Sequence, residues 1–439
     1  MGITIVQKSN LNNPKPDPKI ALVLSGGAVS GGAFKLGGLH ALSNFMLNRN
    51  IRDFDIYVGV SAGSIISIFL ANGVPTVEIL KSLEGRGNGM IDSILASEFY
   101  YINYKDFVLK PLHLLADLIT LFPRNIFRFF TSNNIFTDEF KKQLLAVIAN
   151  PNYDTIETVI KSCVPKHETS ERFATIPWGY IPNGIFTTDN FENSIRINLQ
   201  KNNLCNDFNK LYEKRGKKLL IAATRLDTAE REIFGIGYNN HVPISKAMQA
   251  SIAVPIFYKP VRINGADYVD GAVIKTASID IAIDNGADLV ICYNPFRPFN
   301  IDTFTSRYQN NTKRTHIADD GLYALINQVF RTLLHTRLMH GIDYYRKDPD
   351  FKGDIILIEP TEYDDTFFDM NPLAFWERRK AAKRGYQSVK ESIKEHYDIL
   401  QKILNAYGIS TSWDFTFDET SDLQPITKTA KPVSYNVPF

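Results

Sequence analysis

The stretch that decides the fold is Asp55-Ile56-Tyr57-Val58-Gly59-Val60-Ser61-Ala62-Gly63-Ser64. Residues 55–58 predict a short buried strand, and residues 64–72 predict a helix. A strand, a sharp turn and a helix around Gly-x-Ser-x-Gly form a nucleophile elbow, and the flanking glycines, Gly59 and Gly63, are needed because strand and helix pass closely there. The pattern predicts Ser61 as a nucleophile; the alternative is a chance pentapeptide in a chain with 26 glycines.

A second unit of the same kind precedes the elbow. Residues 20–24 form a continuous apolar run, which is typical of a buried parallel strand, and the glycine-rich loop Ser25–Gly32 and a helical pattern over 33–48 follow it. Two successive units of this kind favour a parallel sheet covered by helices. Further strands are predicted at 217–224, 231–234, 268–269, 288–293 and 354–358, which makes about six or seven in all, and further helices at 244–251 and 278–285.

Composition gives few constraints on partners. The 439 residues are 44% hydrophobic and 22% charged, with a net charge of +2, so nothing global indicates nucleic acid as a partner. The three cysteines, Cys163, Cys205 and Cys292, lack paired spacing and predict neither disulfides nor a zinc site. The first residues do not resemble a signal peptide. We therefore expect a cytoplasmic or peripheral membrane protein, and export by a route that needs no signal peptide stays open.

The rest of the chain predicts five regions. Residues 1–18, which contain three prolines, are expected to be a flexible arm, 19–365 a catalytic domain, 366–408 a C-terminal helix, and 409–439 an extended tail. Within the domain, residues 90–215 or so are expected to be a helical insertion or lid region. Its segment 107–130 is too interrupted by charges to span a membrane, so it is either an interfacial lid helix or a helix buried against the domain.

Five cations of the C-terminal helix follow Trp376, and they suit either anionic lipid head groups or an ordinary solvated face. They are Arg378, Arg379, Lys380, Lys383 and Arg384.

A serine nucleophile needs a base and donors for the oxyanion. None of the eight histidines lies in a strand-end or glycine-flanked context. Asp270 is better placed, because it ends a short strand and a glycine follows it; Asp267 is the competitor, and both could be ordinary turn residues. Backbone amides of the loop Ser25–Gly32 are suited to an oxyanion, since glycine allows close approach and a helix begins there. Neither nucleotide-binding glycine motif fits the loop.

Three sequence blocks together resemble the patatin-like phospholipases, a family of serine lipid acyl hydrolases with a Ser-Asp dyad. They are residues 24–39, residues 59–63, and Asp270-Gly271-Ala272, and the stretch 250–255 ahead of the aspartate is also similar. The resemblance covers roughly residues 19–300. It implies a three-layer α/β/α fold of class α/β with a mostly parallel central sheet.

The resemblance also implies roles for these residues. Asp270 is expected to bond directly to Ser61 as general base, with Gly271 and Ala272 beside the dyad, and Gly26, Gly27 and Ala28 are expected to form the oxyanion hole. The loop departs from the family's Gly-Gly-Gly-x-Arg-Gly pattern, because Ala28 replaces the third glycine and Ser30 the arginine, so either the cation is missing or Lys35 replaces it.

These observations predict a lipid acyl hydrolase of the phospholipase A or lysophospholipase type, acting through an acyl-Ser61 intermediate without metal or cofactor. The expected partner is a phospholipid or another lipid ester at a membrane surface. Two alternatives stay open: a neutral-lipid lipase or transacylase, and an inactive lipid-binding or interaction protein that keeps the fold.

Overall fold

The computed structural model describes residues 2–87, 89–110, 182–301 and 316–412, and the single positions 112, 142, 145, 146 and 149. The strands are β1 (Ile3–Gln7), β2 (Ile20–Leu24), β3 (Ile56–Val60), β4 (Gly184–Phe186), β5 (Lys218–Arg225), β6 (Glu230–Gly235), β7 (Ile256–Tyr258), β8 (Val261–Ile263), β9 (Ala266–Asp270), β10 (Leu289–Tyr293) and β11 (Asp354–Ile358).

The helices that have described ends are α1 (Ala28–Phe45), α2 (Ala62–Ala71), α3 (Thr76–Leu83), α4 (Ala96–Phe99), α5 (Asp189–Lys201), α6 (Phe208–Arg215), α7 (Ile244–Ser251), α8 (Ile279–Asp284), α9 (Leu322–Lys347), α10 (Asp365–Phe368), α11 (Arg378–Glu395) and α12 (Tyr397–Ala406). Short 3-10 turns cover Ile51–Asp53, Gly271–Val273, Ile317–Asp320 and Phe375–Glu377. Among these helices, none has the length and apolarity needed to cross a bilayer.

A nine-stranded sheet organises the described part of the chain. Its order is β1-β11-β10-β2-β3-β5-β9-β8, and β6 pairs with β5 outside this path. The five strands from β11 to β5 run parallel, and antiparallel strands flank them. β2, β3, β10 and β11 are buried at every position, as expected for strands with both faces covered. The carboxyl ends of the parallel strands therefore share one edge.

Two hydrophobic cores lie on opposite faces of the sheet. Alternate residues of β2 show this, since Leu22 packs with the core that includes α1 and α11, whereas Val23 packs with the core that includes α8 and α9. Successive side chains of a strand point to opposite faces. The fold is thus a three-layer α/β/α arrangement with a mostly parallel sheet, as predicted.

The first residues differ from the flexible arm expected for 1–18. β1 pairs antiparallel with β11 along its whole length, and the side chains of Ile3 and Val6 are buried. Directly after it, the backbone amides of Lys8 and Ser9 donate to the Asp354 carboxylate at 2.7 and 2.9 Å. The prolines that suggested an arm all follow this strand. An edge of the parallel sheet offers unpaired backbone groups, and β1 satisfies them.

The C-terminal region also differs from the expectation of one helix over residues 366–408. A 3-10 turn precedes α11, and α11 ends at Glu395, so that His396 separates it from α12. α11 packs closely on α1, because a Cβ on Gly37 would meet the Ala382 backbone, and one on Gly385 would meet the Phe34 backbone.

Three of the five cations in that region hold the helix in place. Arg378 and Arg379 donate to the carbonyl oxygens of Leu83 and Glu84 at the end of α3, and Arg384 pairs with the buried Asp364. These contacts give three of the five charges a structural role.

Apart from five single positions, the expected insertion is described at its two ends only, where it contributes α4, α5, α6 and β4. The prediction for 107–130 falls, apart from 107–110 and 112, outside the described residues, and so does the tail after residue 412. The long helix α9 and the short strands β4, β7 and β8 were not predicted.

Candidate active site

The elbow places Ser61 at the carboxyl end of β3, immediately before α2. Its backbone has φ 54° and ψ −130°, a strained conformation for a residue with a Cβ. The Ser61 amide donates to Ser251 Oγ at 2.9 Å, and the Ser61 carbonyl accepts from the Ser64 amide at 2.8 Å. These two contacts hold the strained residue in place on both sides.

Both flanking glycines are required by packing. A Cβ on Gly59 would lie 2.5 Å from Ser64 Cα, and one on Gly63 would lie 2.6 Å from the Ser25 carbonyl oxygen. Real Cβ atoms do not approach backbone so closely, so neither position accepts a side chain without moving the main chain. The two glycines thus serve the close approach that the elbow pattern predicts.

Asp270 reaches Ser61 through the pairing of β9 with β5. Asp270 lies opposite Ala223, one residue beyond the Ala222 that pairs with Val60. Its amide donates to the Ala253 carbonyl at 2.9 Å, and its carbonyl accepts from Thr224 Oγ1 at 3.0 Å. The backbone of Asp270 is therefore fixed from two directions.

Two neighbours stabilise the carboxylate of Asp270 in its ionised form. The Ala272 amide donates to Oδ1 at 2.8 Å, and the Ser61 hydroxyl lies beside the carboxylate and favours its ionised form. A Cβ on Gly271 would collide with the Ala222 carbonyl, so a glycine is needed to bring this turn against β5. Among the described residues, the hydrogen bonds of Ser61 and Asp270 involve no histidine.

Burial controls the acidity of Asp270. Desolvation raises the pKa of its carboxyl from 3.8 to about 6, against the opposing effects of the Ser61 hydroxyl, the Ala272 amide and the Lys35 ammonium. Ser61 and Asp270 are each 4% exposed. A carboxylate with a pKa near 6 is a better proton acceptor than an ordinary aspartate and is still ionised at neutral pH.

The competitor Asp267 is excluded from this pair by its position. It lies three residues earlier on the same strand, so its side chain is on the opposite face from that of Asp270. It forms a bidentate ion pair with Arg262, at 2.8 and 2.6 Å, which lowers the pKa of its carboxyl.

The glycine-rich loop lies beside Ser61. A Cβ on Gly26 would be 3.2 Å from Ser61 Cβ, Gly27 has φ 151°, and Ala28 has φ 50°. Within the described residues, the amides of Gly26, Gly27 and Ala28 have no hydrogen-bond acceptor. These three amides are thus available to a ligand near Ser61.

The next two amides of α1 are already occupied. The Pro372 carbonyl accepts from the Val29 amide at 3.0 Å and from the Ser30 amide at 3.1 Å. No sequence signal marked Pro372 for this role, because it lies more than 300 residues from the loop in the chain. Ser251, by contrast, falls in the 250–255 block that carried part of the resemblance.

Lys35, the residue that could replace the missing arginine, lies under the loop. Its Nζ donates to the carbonyl oxygens of Ser25 and Gly26, and its side chain is fully buried. Desolvation lowers the pKa of Lys35 to about 7, which the nearby Cys292 and Asp270 partly oppose. In the described residues, no group of three or more His, Cys, Asp or Glu side chains could hold a metal.

Comparisons with known proteins agree with this geometry. The family model described as patatin-like phospholipase matches residues 22–283, which is more than half of the chain. A "Probable lipid hydrolase 463L" of Invertebrate iridescent virus 6 is 26% identical over 102 residues, which are 23% of this chain and 35% of the viral protein. The chain therefore matches about a third of that relative's length.

Three solved structures are also similar. VipD from Legionella pneumophila has 17% identity and a TM-score of 0.36, covering 90% of this chain and 70% of its own. ExoU of Pseudomonas aeruginosa, in complex with SpcU, has 14% identity and a TM-score of 0.28, with 93% and 64% covered. Human GIVD cytosolic phospholipase A2, in complex with a fluorophosphonate, has 9% identity and a TM-score of 0.30, with 89% and 59% covered. TM-scores this low support no argument about function.

Proposed function

The chain belongs to the patatin-like phospholipase family, and we propose that it is a lipid acyl hydrolase that cleaves carboxylic esters of phospholipids or lysophospholipids through an acyl-Ser61 intermediate. The observation that carries the proposal is the position of the Ser61 hydroxyl beside the buried carboxylate of Asp270, whose ionised form it favours. A strained serine paired with a carboxylate that has a raised pKa is the arrangement that nucleophilic catalysis needs.

In the first half of the reaction, Ser61 Oγ attacks the ester carbonyl carbon while Asp270 takes the hydroxyl proton. The carbonyl oxygen becomes an oxyanion, which accepts hydrogen bonds from the amides of Gly26, Gly27 and Ala28. The tetrahedral intermediate then collapses. The ester C–O bond breaks, the leaving alcohol takes the proton back from Asp270, and the acyl group stays on Ser61.

In the second half, water attacks the acyl-enzyme and gives its proton to Asp270. The same amides stabilise the second oxyanion, and collapse releases the fatty acid and returns the proton to Ser61. Two amides of α1 are held by Pro372, so we assign the donor role to the three that precede them. Every proton is accounted for by one carboxylate, and the scheme requires no histidine.

The test compares hydrolysis of phospholipid vesicles by the parent protein, Ser61→Ala, Asp270→Asn and Asp267→Asn. We expect the first two variants to lose at least about 10³-fold in rate. Asp267→Asn is the matched control, because it removes a carboxylate from the same strand but from the opposite face. Equal hydrolysis by the parent and Ser61→Ala would falsify the proposal.

A neutral-lipid lipase or a transacylase would use the same acyl-enzyme with another substrate or acceptor. Product analysis with neutral acylglycerols as substrates, and with added lysolipid or glycerol as acceptors, separates these activities from phospholipid hydrolysis. An inactive lipid-binding protein would leave Ser61 unreactive. Covalent labelling of Ser61 by a fluorophosphonate, located by mass spectrometry and absent from Ser61→Ala, would exclude this last alternative.

A further inference from the structure

A buried lysine contacts the proposed oxyanion loop from the side away from its amides. Lys35 is on α1, and its side chain has no exposed surface. Burying an amine is costly unless its N–H groups find acceptors. Nζ finds two, the carbonyl oxygen of Ser25 and, at 3.1 Å, that of Gly26. The buried amine is therefore bonded to the loop's backbone itself.

These two contacts determine where two amides point. In a trans peptide unit the C=O and N–H bonds point in opposite directions, and no described peptide bond is cis. The Ser25 carbonyl shares its unit with the Gly26 amide, and the Gly26 carbonyl shares its unit with the Gly27 amide. Drawing both oxygens toward Lys35 therefore turns both N–H bonds away from it. These are two of the three amides that lack an acceptor in the described residues.

Other contacts restrain the ends of the loop more than its middle. Ser25 is held by its amide, which donates to the Tyr293 carbonyl at 3.2 Å, and Gly27 by its carbonyl, which accepts from Gly31 at 2.9 Å. Between them, the only other hydrogen bond to either carbonyl in the described residues is a 3.3 Å contact from the Ser25 hydroxyl to the Gly26 oxygen. Glycine resists rotation weakly, so Lys35 is the main restraint on the two units.

We propose that Lys35 is a positioning residue that orients the Gly26 and Gly27 amides as oxyanion donors, an inference that rests on the proposed function. Both the ammonium and the neutral amine have enough N–H groups to hold two carbonyls. The positioning is therefore expected to persist on either side of the lysine's pKa of about 7.

The test replaces the amine with an apolar side chain of similar length in Lys35→Met. Loss of one oxyanion donor costs about 10² to 10³ in kcat, and we expect a loss in this range because two donors lose their orientation. KM is expected to stay within about threefold, since the amides matter most when the oxyanion forms.

Two inhibitors provide a readout that a merely structural role would not give. A long-chain trifluoromethyl ketone forms a hemiketal oxyanion on Ser61. A long-chain ether of the same length has no carbonyl group and cannot form one. Lys35→Met should weaken binding of the ketone by at least about tenfold and leave that of the ether unchanged. Equal weakening of both inhibitors, or a folded Lys35→Met protein with kcat within threefold of the parent, overturns the proposal.

Two further variants complete the comparison. Arg231→Met removes a part-buried cation, paired with Asp280, that does not contact the loop, and it should keep the parent's kcat. If Lys35→Met does not fold, the same inhibitor test applies to Lys35→Gln, whose amide is too short to reach both carbonyls. If the parent itself neither hydrolyses lipid nor labels at Ser61, the proposed function fails. If the parent is active and the Lys35 variants match it in kcat and inhibitor binding, this inference alone fails.

Discussion

Replacing Asp270 with asparagine is expected to abolish activity and to stabilise the fold at the same time. Burial raises the pKa of the Asp270 carboxyl from 3.8 to about 6, so the folded protein holds the ionised form at a cost. Each tenfold change in proton affinity corresponds to about 1.4 kcal/mol, so the cost at neutral pH is about 3 kcal/mol. Asparagine resembles the neutral acid and still offers an oxygen to the Ala272 amide.

The pH dependence gives the sign of this effect. Below about pH 4, aspartic acid is protonated in both the folded and the unfolded chain, so the parent and Asp270→Asn should differ by less than about 1 kcal/mol. As the pH rises from about 4 to about 6, the unfolded chain has already lost its proton and the folded one has not, so the parent loses stability in this range. Above pH 7 the variant should exceed the parent by the full value of about 3 kcal/mol.

Urea denaturation followed by intrinsic fluorescence at pH 4, 5 and 8 measures the difference, alongside ester hydrolysis at pH 8. Asp267→Asn is the control on the same strand. The ion pair with Arg262 lowers the pKa of Asp267, so its removal should lower stability above pH 4 and leave hydrolysis intact. Equal unfolding free energies for the parent and Asp270→Asn at pH 8, or a gap that does not change with pH, would refute the reasoning.

Three other predictions follow from the same geometry. Hydrolysis of a soluble ester should fall as the pH drops through about 6, because protonation removes the base at Asp270, and a flat profile between pH 5 and 8 would contradict this. Gly37→Ala should lower the unfolding free energy by about 1 to 3 kcal/mol, since its Cβ would press on the Ala382 carbonyl. Unchanged stability would show that α1 and α11 can move apart at no cost. Gly341→Ala, at a helix position with open space, should instead raise the unfolding free energy by about 0.5 to 1 kcal/mol, and a loss there would contradict the assignment of open space.

The elements around Ser61 and Asp270 were predictable because each is a local pattern. β2 and β11 have the predicted bounds, as does α7, since continuous apolar runs or a helical repeat end at glycine, proline or polar residues there. The prediction that the elbow and Asp270 belong together depended on the resemblance, because no local pattern relates residues two hundred positions apart.

Other elements could not be predicted from the sequence, because they depend on distant partners or on a pattern that exposed apolar residues obscure. β1 is a strand only by virtue of the free edge of β11, and the prolines after it suggested an arm instead. In α9 the buried face, with Leu334, Leu338 and Ile342, has helical spacing, but exposed apolar residues such as Phe330 and Leu333 obscure the pattern. The break at His396 lies inside a sequence that is helical on both sides.

The contact between Pro372 and the start of α1 has a consequence for modularity. The region that matches the family ends at residue 283, yet the amides of Val29 and Ser30 are satisfied by a carbonyl almost ninety residues beyond it. α11, which also lies beyond it, packs against Gly37. An exchange of the C-terminal regions of two relatives would therefore alter the support of the glycine-rich loop, although every residue of the loop stayed the same.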